Sequence, residues 1–150
     1  MTLERKYTKV FFLFLTIGIT AFIWYNSLQD AATSEKASLG IVGFVQQVLD
    51  WFSWHIAASH LDHVIRKLAH LSEFAALGAS LLAFFWYFTQ EIIGRSFNFT
   101  FLFGLLIAGV DETLQLFSAG RSCQLSDVGI DFMGVVLGAL FCFCLLRLEK

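Results

Sequence analysis

Four apolar runs, each about twenty residues long, set most of what this chain can fold into. They are Val10 to Leu28, Leu68 to Phe88, Phe97 to Phe117 and Val128 to Leu148. At 1.5 Å per residue, a helix of that length crosses the roughly 30 Å hydrocarbon layer of a bilayer. The composition agrees: 57% of residues are hydrophobic and 15% charged, and the mean hydropathy is +0.71. A soluble domain so apolar would expose large patches and aggregate. The sequence therefore predicts an all-α integral membrane four-helix bundle, one domain over residues 1–150. The net charge of −2 argues against nucleic acid as a partner.

The basic start (Arg5, Lys6, Lys9) and the run after it superficially resemble a signal peptide. The run continues to Leu28 without a convincing cleavage site, so it is expected to stay as the first span. Trp24 and Tyr25 suit the interface at its far end. Residues 29 to 40 read as a polar connector. Between 41 and 56, Ile41, Phe44, Val45, Val48, Leu49, Phe52 and Ile56 recur at helical spacing, with Gln46, Gln47, Asp50 and Ser53 opposite. That pattern predicts an additional amphipathic interfacial helix between spans one and two, too polar to cross. Packing of this segment against the bundle is the alternative. The chain has no proline, so any helix break must come from glycine or inserted polar groups.

Cys142 and Cys144 fall inside an apolar run and Cys123 in a short polar turn. No Cys/His spacing points to zinc or redox chemistry. Six of the ten Lys and Arg residues fall on the side of the N-terminus (Arg5, Lys6, Lys9, Arg95, Arg147, Lys150), against Lys36, Arg66, Lys67 and Arg121 opposite. By the positive-inside rule both termini are expected in the cytoplasm.

The residues that interrupt or flank the apolar runs carry the functional signal. Arg66, Lys67, His70 and Glu73 open the second span, Asp111, Glu112 and Gln115 close the third, and Arg121, Asp127 and Asp131 precede or open the fourth. With alternating span directions all of them converge on one membrane level, the outer one. Arg66, His70 and Glu73 share a helix face, as do Asp127, Asp131, Gly134 and Gly138. The glycines suit close helix approach, which turns the acidic head of that stripe toward protein. Ionisable groups persist at such depth only where they pair, coordinate or line a cavity. His70, Glu73, Asp111 and Glu112 are the candidates for any proton-transfer role.

Simpler readings exist for several of these positions. Asp127 fits a helix cap, Arg66 and Lys67 fit headgroup-snorkelling flanks, and the whole set fits a structural ion-pair network. No recognised metal-ligand spacing is present, so no metal or other cofactor is assigned. An oxygen-rich cluster with one histidine is nevertheless compatible with Mg²⁺, Ca²⁺ or Mn²⁺.

At these residues the chain resembles the VanZ-like family of small bacterial membrane proteins. The resemblance is carried by Arg66-Lys67-x-x-His70-x-x-Glu73-Phe74, Asp111-Glu112-x-x-Gln115, Gly120-Arg121, and Asp127 with Gly134 and Gly138. Two positions depart from the family's usual pattern. Ala119 stands where Pro is frequent, which loosens the outer turn, and Asp131 stands where Asn is frequent, which adds a negative charge. The family takes its name from a protein associated with low-level resistance to the glycopeptide teicoplanin. The resemblance implies a multi-pass protein of the bacterial inner (cytoplasmic) membrane acting in the cell envelope; it implies no particular reaction.

Two functions are therefore expected to compete. In the first, the outer cluster binds an envelope lipid headgroup, a lipid-linked precursor or a glycopeptide-type ligand and modulates antibiotic susceptibility. In the second, the His/Glu/Asp cluster makes the protein an intramembrane hydrolase or transferase on a lipid-linked substrate. A transporter is disfavoured because no polar residues continue a path through the inner half.

Overall fold

The structure is a computed structural model and describes residues 3–90, 92–121 and 123–148, with side chains from Arg5 onward. Among them the chain forms five helices and no strand: α1 (Leu3–Ser27), α2 (Ala31–Trp51), α3 (Ala58–Phe88), α4 (Ile93–Gln115) and α5 (Leu125–Leu148). Helices α1, α3, α4 and α5 are each long and apolar enough to cross a membrane. Their outward residues are those of a lipid-facing surface, with Phe14 on α1, Leu106 on α4 and Phe141 on α5 all well exposed. The four-span architecture expected from the sequence is present.

Three boundaries in α2 and α3 differ from expectation, each for a local reason. Helix α2 begins at Ala31 rather than residue 41, because the Asp30 side chain accepts the Thr33 N–H at 2.6 Å and caps it. The supposed connector is therefore mostly helix. The same helix stops at Trp51 rather than residue 56. Ser53 takes a left-handed conformation (φ 57), while its N–H bonds the Asp50 carbonyl and the Trp54 N–H reaches back to Leu49. That is the two-bond helix terminus usually built on glycine. Helix α3 begins at Ala58, ten residues before its apolar run. At 31 residues it is about 46 Å long, so its polar first turns extend beyond a hydrocarbon layer.

Helix α3 is the central element and packs against all four others, most extensively against α5. The tight contact is made by glycine on both helices. A Cβ at Gly134 would lie 2.5 Å from the Leu71 carbonyl oxygen, one at Gly138 would collide with the Ala75 backbone, and one at Gly78 with the Val135 backbone. Gly134 and Gly138 therefore face protein as their stripe suggested, and Gly78 is the partner that sequence spacing did not single out. Ile23, Phe74, Leu77, Leu81, Phe85, Ala108 and Val135 form the core below the polar end. Helix α2 rests against α3 through Val42 and through the Ser38 hydroxyl, which donates to the Asp62 carboxylate. It leaves Leu39, Ile41, Phe44 and Trp51 exposed. The helix thus has a bundle-facing side and an apolar side with no protein partner among the described residues.

Candidate functional site

The C-terminal ends of α1 and α4 and the N-terminal parts of α3 and α5 meet at one end of the bundle. Backbone and hydroxyl bonds fix this end. Ser118 Oγ donates to the Ser27 carbonyl at 2.8 Å, and the Ala31 N–H bonds the Ala119 carbonyl at 3.0 Å. Gly120, at φ 76, makes the reversal that follows, a conformation glycine adopts without steric cost. Ala119 is thus tied to the start of α2 through its carbonyl.

Every described candidate side chain lies at this end, but not all share one role. Asp111 is fully buried and faces His70, whose Nδ1 lies 3.9 Å from Asp111 Oδ2 and equally 3.9 Å from Asp131 Oδ1. Gln115 donates to Glu112 at 3.1 Å and approaches Asp111 at 3.4 Å. Through its other oxygen Glu112 accepts the Gln124 N–H at 2.5 Å, just before α5. Gln115 thus bridges the two adjacent carboxylates, and Glu112 also holds the turn instead of lining the cavity. Lys67 pairs with Asp127 at 2.8 Å across α3 and α5, so both are engaged with protein. Arg66 turns back along its own helix to Asp62 at 2.9 Å.

Sequence reasoning missed four participants. Asn26 donates to Glu73 at 2.9 Å, tying α1 to α3, and Ser34 accepts from Arg121 at 3.0 Å, tying α2 to the α4–α5 turn. Asp62 lay in a segment read as preceding the span. The Gln124 contribution comes from its backbone, which no residue pattern reveals.

Between these elements lies a cavity of about 460 Å³, within the size range of small-molecule sites. His70, Glu73, Gln115, Arg121, Asp127 and Asp131 line it, and α2 forms one wall with Thr33 and Ser34. Its polar groups are not all satisfied. Among the described residues, the buried atoms Glu73 Oε2, Asp111 Oδ1, Asp131 Oδ2 and Arg121 Nε have no protein hydrogen-bond partner. Burial, followed by the neighbouring Arg66 guanidinium, pushes the Arg121 pKa down, against the pull of nearby carboxylates. An arginine nevertheless stays charged, so it remains a fixed cation at the rim.

The VanZ/LLP1 family profile matches residues 12–147, nearly the full chain and all of this site. The chain belongs to the VanZ/LLP1 family. No curated protein and no solved structure matches it. For this VanZ/LLP1 member, the motifs that carried the resemblance are the ones that meet in space. The Arg66-to-Glu73 segment, the Asp111-to-Gln115 segment, Arg121 and Asp127 surround one cavity end, and the two glycines of α5 let α3 approach it closely.

Proposed function

We propose that this protein is a receptor-like component of a bacterial inner membrane, with both termini cytoplasmic and its polar cavity open at the outer interface. The cavity recognises an envelope lipid headgroup or the head of a lipid-linked precursor, and through that binding modulates susceptibility to envelope-directed antibiotics. One observation carries the reading: a cavity of about 460 Å³ at one end of the bundle is lined by charges of both signs with unsatisfied buried atoms. Arg121 suits a phosphate or carboxylate, and the carboxylates suit hydroxyls, amides or amines. The volume suits a headgroup or one fragment of a glycopeptide, so a whole glycopeptide would engage the mouth only. The exposed aromatic end of α2 (Trp51, Phe52, Trp54) supports its placement at the membrane surface.

The test is labelling of intact cells with a membrane-impermeant thiol reagent. Cys123 is exposed beside the cavity turn and Gln90 is exposed at the opposite end of the bundle. In a background lacking Cys142 and Cys144, labelling at Cys123 is expected. In the same background with Cys123 also replaced, Gln90→Cys should stay unlabelled. The reverse pattern would put the cavity on the cytoplasmic side and end the envelope-facing reading.

A second reading, an intramembrane hydrolase or transferase, is favoured by one feature: His70 lies between two buried carboxylates at equal distance. Proton transfer through that group would make activity on a lipid-linked substrate depend on the imidazole itself.

A further inference from the structure

His70 of α3, Asp111 of α4 and Asp131 of α5 approach one another from three separate helices without bonding directly. At 3.9 Å, the His70 Nδ1 is too far from either carboxylate for a hydrogen bond. One donor atom from each residue lies within 4.8 Å of the other two. Asp111 is 0% exposed and Asp131 2%, and each keeps a buried oxygen (Oδ1 and Oδ2) with no partner among the described residues. The cations nearby are turned elsewhere: Lys67 to Asp127, Arg66 to Asp62, and Arg121 to the Ser34 hydroxyl. Two buried carboxylates thus surround a gap that no Lys or Arg among the described residues fills.

We propose that His70, Asp111 and Asp131 bind a divalent cation of the Mn²⁺ type at the floor of the cavity. A metal placed roughly 2.0–2.4 Å from its donors in octahedral geometry spaces them roughly 2.8–4.8 Å apart. The observed separations fall in that range, so an ion fits with little helix movement. One imidazole nitrogen with two carboxylate oxygens is a mixed donor set. It suits Mn²⁺, a carboxylate-binding first-row ion that also takes an imidazole nitrogen, better than Mg²⁺ or Ca²⁺, which favour oxygen alone, or structural Zn²⁺, which favours Cys and His. His70 and Asp131 line the cavity and Asp111 sits behind them, so the ion is reached from the cavity and its remaining positions face it. An anionic headgroup could occupy those positions, but the metal site does not depend on the headgroup reading.

The test uses Mn²⁺ alone and the purified full-length protein in detergent, with bound ion counted by electron paramagnetic resonance. One Mn²⁺ per chain is expected, and Asp131→Asn should weaken binding by roughly tenfold or more. Asp50→Asn, beside the exposed His55 away from the cavity, should leave it unchanged. In case the Asp131 variant does not fold, a second measurement replaces His55, His60 and His63 by Gln, leaving His70 as the last of the four histidines. Pulsed spectra of Mn²⁺ bound to that protein should show coupling to one imidazole nitrogen. Absence of stoichiometric Mn²⁺, bound ion without nitrogen coupling, or loss of binding in Asp50→Asn in place of Asp131→Asn would each overturn the site.

Discussion

Glu112 of α4 accepts the backbone N–H of Gln124, so a side chain from one span fixes the start of the next. A carboxamide offers an oxygen of the same reach, and a leucine offers none. Glu112→Gln should therefore fold with nearly wild-type thermal stability. Glu112→Leu should lose about 1–3 kcal/mol, the usual cost of orphaning a buried polar group. Thermal unfolding in detergent checks both. An enzyme that relied on Glu112 for proton transfer would behave differently, since Glu112→Gln would then abolish turnover in a folded protein.

His70→Gln separates binding from chemistry at the cavity floor. On the receptor reading, headgroup binding weakens in a graded way because shape and hydrogen-bonding capacity largely remain. On the enzymatic reading, hydrolysis or transfer on a lipid-linked substrate falls by about 10²–10⁴-fold, the span of general acid–base contributions. Single-turnover assays with a polyprenyl-phosphate substrate, run beside binding measurements, give the two outcomes.

The α3–α5 contact should be intolerant of any side chain at Gly138, where a Cβ would meet the Ala75 backbone. Gly138→Ala is expected to cost about 1–3 kcal/mol through overpacking, and Gly138→Leu to lower the yield of folded protein sharply. At Gly18, Gly109 and Gly129 a Cβ meets nothing within 4 Å, so alanine there should be neutral or slightly stabilising. Comparing yields and unfolding temperatures across the four positions checks the packing.

Asp30 makes the docking of α2 pH-dependent. Its bond from the Thr33 N–H holds the carboxyl pKa below the ordinary 3.8. A depressed folded pKa means the stabilisation is fully present above about 3.8 and is lost as pH falls through the lower folded value. Wild type should therefore be more stable than Asp30→Ala at pH 7, and the difference should shrink once pH drops below about 3.8. A difference that stayed constant down to acid pH would exclude the cap as its cause.

Much of this architecture is legible in the residue string because lipid imposes a severe filter. A charge inside an apolar run must have a reason, so His70, Asp111 and Asp131 stand out in the sequence itself. Elements that depend on local backbone chemistry were harder to see. The start of α2 rests on one cap bond at Asp30 and its end on a serine in a glycine-like conformation, so apolar periodicity marked neither. The first turns of α3 are polar because they extend beyond the apolar layer, and a hydropathy window passes over them. Asn26 reads as one ordinary amide near the end of a span until α3 brings Glu73 to within 2.9 Å of it. Pairings between helices, including which partner each of two adjacent buried carboxylates reaches, follow from rotation and packing that a single sequence does not specify.

On the receptor reading the cavity takes an anionic lipid headgroup at Arg121, and native mass spectrometry tests this most directly. Detergent-purified protein would be mixed with equal amounts of phosphatidylglycerol and phosphatidylcholine, alongside Arg121→Gln at the cavity rim. One phosphatidylglycerol per chain should be retained in the wild type, in preference to phosphatidylcholine, and Arg121→Gln should lose that preference. Equal retention of both lipids, or a preference that survives the loss of Arg121, would contradict it.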